Sequence, residues 1–131
     1  MRLIRLRMPN PNKITYSDEK LNEFISLIKR DIGDSSRMYS TLETKVYDVS
    51  LREILENTGS FETLLDRLQK MTHIVSQKHD KYMNILDPYE FNPSGIMKNF
   101  EFLVKELEEI YFQYTRLEHI LEGLISLIRK K

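Results

Sequence analysis

From Ile96 to Ile128 apolar residues recur in alternating steps of four and three: Ile96, Phe100, Leu103, Leu107, Ile110, Tyr114, Leu117, Leu121, Leu124 and Ile128. No polar residue interrupts the row. A strict 4-3 repeat places every member on one side of an α-helix, so the segment predicts a long helix with a coiled-coil-type seam. Met97, Val104, Tyr111, Ile120, Ile125 and Leu127 widen the stripe, and a wide stripe suits a bundle better than an isolated two-stranded coil.

Three further helical segments are read upstream. The first spans about 18–32, with Leu21, Phe24, Ile25, Ile28 and Ile32 on one face; Ser17 or Thr15 caps it and Gly33 ends it. The second spans about 36–57 on Met38, Leu42, Val46 and Val49, with a capping-box pattern at Ser50-Leu51-Arg52-Glu53 that leaves open whether it is one helix or two. The third follows Ser60 to Leu86, with Phe61, Leu68, Val75 and Tyr82 seven apart, Leu64, Met71 and Ile85 between them, and Lys78 breaking the second row.

Gly and Pro number only four each, which favours helix over strand-and-turn architecture. The expected fold is therefore all-α: an antiparallel hairpin of two long helices with one or two shorter helices packed on it, four-helix-bundle-like. Residues 17–131 form a single helical domain, preceded by an extended basic arm over 1–16.

The third and fourth segments would span about 40 and 50 Å and the first only about 22 Å. A short helix cannot cover a long seam. Either the second segment bends to cover the rest or a partner does; the favoured solution is a second copy in a two-fold dimer, with Leu117, Leu121, Leu124 and Ile128 as the oligomer interface. Leu121→Asp is expected to break the oligomer or unfold the chain. Phe102 and Phe112 fall outside the seam among Glu101, Lys105, Glu109 and Arg116. The first or second segment is expected to pack over them; otherwise they mark a second contact surface.

Chemistry is sparse. The chain has no Cys, which excludes disulfide scaffolds, thiolate metal sites and thiol nucleophiles. His73, His79 and His119 lack the i, i+4 spacing of a helical metal pair, and none completes Glu-x-x-His. Phosphate-binding glycine loops and nucleophile elbows are missing. The Glu residues of the fourth segment fit a solvated face. The sequence nominates no catalytic, metal or cofactor-binding residue, and the expected class is a non-enzymatic assembly protein.

Twenty basic residues balance twenty acidic ones, which argues against a wholesale polyanion binder. Arg2, Arg5, Arg7 and Lys13 nevertheless give the arm a charge of +4 with no acid in residues 1–17. Arg2, Arg5 and Arg7 are the candidate contacts to a partner or polyanion. The rival function is a small nucleic-acid-associated regulator using this arm, although four charges make only a weak phosphate footprint. A helix-turn-helix over 51–65 is disfavoured, because Glu62 and Asp66 would enter the groove. With no apolar run of membrane-spanning length and no signal-type core, a soluble intracellular protein is expected.

The Cys-free, Tyr-, Ile- and Lys-rich helical style of this 131-residue chain resembles the small orphan structural proteins of crenarchaeal viruses. The resemblance implies a virion structural role and contacts with other structural proteins. It carries over no functional residue.

Overall fold

The structure is a computed structural model that describes residues 16–56, 60–86 and 95–129. Among the described residues it is all-helical, without strands: α1 runs Asp18–Glu56, α2 Ser60–Leu86 and α3 Gly95–Arg129.

Ser17 starts α1 as expected. Its hydroxyl accepts the Lys20 N–H at 3.2 Å and its carbonyl accepts the Leu21 N–H at 2.9 Å, so first-turn donors find partners. Asp18 and Glu19 lie at the positive end of the helix dipole.

The expected stop at Gly33 does not occur. The first two segments are one helix of 39 residues, and it continues past the Ser50-Leu51-Arg52-Glu53 pattern. A helix-interior Gly costs about 0.5–1 kcal/mol relative to Ala, and packing on both sides offsets it. Leu21, Ile25 and Ile28 before the Gly, and Leu42 and Val46 after it, are all buried. The 4-3 rhythm in fact runs unbroken through Leu21, Ile25, Ile28, Ile32, Ser35, Tyr39, Leu42 and Val46, with Ser35 buried at its middle.

At 1.5 Å per residue α1 is about 58 Å long and α3 about 52 Å. The premise of a short helix beside a long seam therefore falls. Both α1 and α2 pack along α3, and more extensively than on each other. Phe100, Leu107, Tyr114, Leu117 and Leu121 of α3 meet Ile28, Leu42 and Val46 of α1 and Leu68, Val75 and Tyr82 of α2 in one core.

Polar groups tie the helices inside this core. The Tyr114 hydroxyl donates to the Ser35 carbonyl at 2.8 Å, and the Tyr82 hydroxyl donates to Asp31 at 2.5 Å. Lys78, the residue that breaks the α2 row, donates its ammonium to the other Asp31 oxygen at 3.1 Å. Thr72, also buried, returns its hydroxyl to the Leu68 carbonyl. Edge-on aromatic pairs flank these bonds, Tyr39 with Tyr114 at 5.4 Å and Tyr82 with Phe100 at 6.1 Å between centroids.

Candidate interaction surface

α3 is the shared partner of the other two helices, so its inner side is fully used. Leu117 and Leu121, nominated as an oligomer interface, are instead buried inside the chain itself. A 39-residue α1 is long enough to cover them, and they keep no surface for a second copy. Leu124 is half-buried against the same core. Ile128 and the arm residues Arg2, Arg5 and Arg7 lie outside the residues whose side chains are described.

The outer side of α3 tells a different story. Phe102 is 60% exposed, Phe112 53%, Ile120 42% and Leu127 63%. Neither phenylalanine is covered by α1, contrary to the favoured expectation: Phe102 only edges a groove against Ile32 and Ser36 and stays mostly exposed, as does Phe112. Phe112 touches only its neighbour Tyr111 among ring partners in the described residues, at 5.7 Å.

Helical geometry lines these residues up. At about 100° per residue, Phe102 and Ile120 point the same way, Leu127 deviates by about 20° and Phe112 by about 80°. Lys105, Glu109, Arg116 and Gly123 fill the intervals, and all four are exposed. A Cβ placed on Gly123 would meet nothing within 4 Å. Among the described residues neither Glu109 nor Arg116 forms an ion pair.

Among the described residues two grooves border this ridge. One, of about 530 Å³, lies between α1 and α3 against Ile32, Ser36, Phe102 and Glu109. The other, of about 370 Å³, lies between α2 and α3, with Met83, Leu86 and Val104 as its apolar lining and Glu101, Glu108, Lys105 and His79 around them. No protein-family model, curated protein or solved structure matches this chain. The reading of the surface rests on its own chemistry.

That chemistry is apolar contact. His79 is half-buried and 3.6 Å from Glu108, whereas His73 and His119 are exposed. Among the described residues no three His, Cys, Asp or Glu groups stand together as a metal site. The shifted groups are tyrosines. Burial pushes the Tyr114 phenol up to about 12. Tyr82 is raised further, by burial first and then by its bond to Asp31. Burial, with Glu43 beside it, raises Tyr39. Each is a neutral donor inside the bundle. No helix among the described residues is long and apolar enough to cross a membrane.

The outer stripe was partly visible in the sequence. Phe102 and Phe112 stand out in the sequence as aromatics off the seam, whereas Ile120 and Leu127 read as part of a wider core. The missed signal is that they lie in line with Phe102, on the side away from Leu103, Leu107 and Ile110.

Proposed function

We propose that the protein is a non-enzymatic structural protein that acts by self-association through the outer face of α3. One observation carries this reading: four large apolar side chains, Phe102, Phe112, Ile120 and Leu127, stand exposed along one side of a helix whose inner side is already closed. Burying a side chain of this type fully contributes about 1.5–3 kcal/mol relative to leaving it exposed. Aligned on one helix with Lys105, Glu109, Arg116 and Gly123 between them, they make a mixed apolar and charged surface suited to protein contact.

In this reading α2 and α3 make an antiparallel hairpin and α1 lies along it, a compact rod with one sticky edge. The pairs Tyr82–Phe100 and His79–Glu108 support the antiparallel sense, since numbers fall on α2 as they rise on α3. Arg2, Arg5 and Arg7, which lie outside the described residues, are the proposed further contact to other structural proteins. The resemblance to crenarchaeal virus proteins adds a virion as the place of assembly.

The test is the mass of the Phe102→Ser/Ile120→Ser variant by sedimentation. Both side chains are exposed, so helicity should be retained while the oligomer dissociates. A variant with the wild-type mass at every concentration would overturn the assignment of this face.

A further inference from the structure

The exposed face of α3 holds a second helical row with its own rhythm. Lys98, Phe102, Lys105, Glu109, Phe112 and Arg116 step by four and three, and after one step of four Ile120, Gly123 and Leu127 resume it. All nine are exposed. We propose that two copies of the chain pair along this row as antiparallel α3 helices, with Phe102 of each copy over Gly123 of the other and Glu109 beside Arg116. The proposal rests on the self-assembly reading above and fixes its partner and register.

Charge selects the direction. A parallel pair would stack Lys98, Lys105, Glu109 and Arg116 each on its own counterpart, and like charges face to face are unfavourable. An antiparallel pair with its two-fold axis between Phe112 and Gln113 matches residues whose numbers share one sum. Phe102 then meets Gly123, Lys105 meets Ile120, Glu109 meets Arg116, and Lys98 meets Leu127. Each match occurs twice, as an isologous interface requires.

Size selects the register. One of the two phenylalanines of the row, Phe102, lands on the one residue in it without a side chain, and the space over Gly123 is empty within the chain; the other, Phe112, falls at the axis beside Gln113. The two Lys stems can lie along Ile120 and Leu127 with their ammonium groups in water. Sliding the pair by one heptad in either direction puts Glu109 on Glu109 or Arg116 on Arg116 at the axis. The glycine also has no evident role within the chain, since Ala would suit a helix interior better.

Two experiments on the full chain test this. The natural absence of Cys makes engineered thiols unambiguous. Residues 98 and 127 of one copy are about 44 Å apart along the helix, whereas a disulfide needs Cα atoms within about 7 Å. The Lys98→Cys/Leu127→Cys variant, which keeps Phe102 over Gly123, should therefore crosslink between copies under mild oxidation, while each single-Cys variant should not. In the second experiment Glu109→Arg and Arg116→Glu should each weaken dimerisation at least tenfold. The double variant, and an equimolar mixture of the two single variants, should recover it. All these positions are exposed, and circular dichroism verifies that each variant stays folded.

Efficient crosslinking of either single-Cys variant, or no recovery in the double charge variant, would overturn the register while leaving self-assembly standing. A wild-type chain that is monomeric at all concentrations would overturn both.

Discussion

The Tyr114 hydroxyl donates a 2.8 Å hydrogen bond to the backbone carbonyl of Ser35, 79 positions earlier in the chain. This bond joins α1 and α3 where α1 is weakest by composition, at Gly33-Asp34-Ser35-Ser36. Tyr114→Phe keeps the ring and its edge contact with Tyr39 and removes only the donor. The expected loss is about 1 kcal/mol of unfolding free energy, read from urea titration. An unchanged midpoint would show that the bond contributes nothing net.

The tyrosines also fix how stability depends on pH. A phenol whose folded pKa is raised ionises more easily when unfolded, so its contribution is complete below the unfolded value of about 10. It is lost as pH rises from there through the folded value, about 12 for Tyr114 and higher for Tyr82. The melting temperature should therefore fall progressively above pH 10, and Tyr114→Phe should reduce that fall. A variant as alkali-sensitive as the wild type would exclude Tyr114 as a contributor.

Asp31 accepts from both Tyr82 and Lys78 of α2. Asp31→Ala strands the hydroxyl of a buried tyrosine, at an expected cost of about 1–3 kcal/mol. In the Tyr82→Phe background the same substitution should cost less, because no hydroxyl remains to be stranded. A double-mutant cycle by chemical denaturation measures the coupling; additive effects would contradict it.

Much of this fold was legible because the heptad rows of α2 and α3 are nearly uninterrupted, and burial follows them from Phe61 to Ile85 and from Met97 to Leu121. The division of α1 was misread for a physical reason. Gly33 and the serines after it resemble a helix end locally, while what keeps them helical is tertiary: Ser35 buried under Tyr114, with Ile28 and Leu42 buried on either side. A shortened α1 leaves Leu117 and Leu121 without cover, so in sequence they resemble an interface, while the exposed row is divided between core and surface.

Gly33→Ala tests that explanation. A Cβ at Gly33 would meet only the Arg37 guanidinium at 3.5 Å, an ordinary contact with a flexible group. The substitution should stabilise the chain by about 0.5–1 kcal/mol, seen as a higher melting temperature. A lower one would mean that the glycine is needed for the approach of α1 to its neighbours.

Leu121 and Phe102 lie on the same helix yet are opposite in consequence. Leu121→Asp places an unpaired carboxylate in the closed core, so the chain should lose its cooperative melt and much of its helicity. Phe102→Ser should leave the melt within about 0.5 kcal/mol of wild type at monomer concentrations, as surface changes usually do. Circular dichroism of the pair separates core from contact surface; equal damage would contradict the burial pattern.

The most direct test of self-association is the solution mass of the wild-type chain by light scattering on a sizing column, over a range of concentrations at low and high salt. Pairing through the outer face of α3 should give a dimer that dissociates on dilution and persists in high salt, because apolar burial by Phe102, Phe112, Ile120 and Leu127 is not screened as ion pairs are. A mass near 15.7 kDa at every concentration and salt would contradict it.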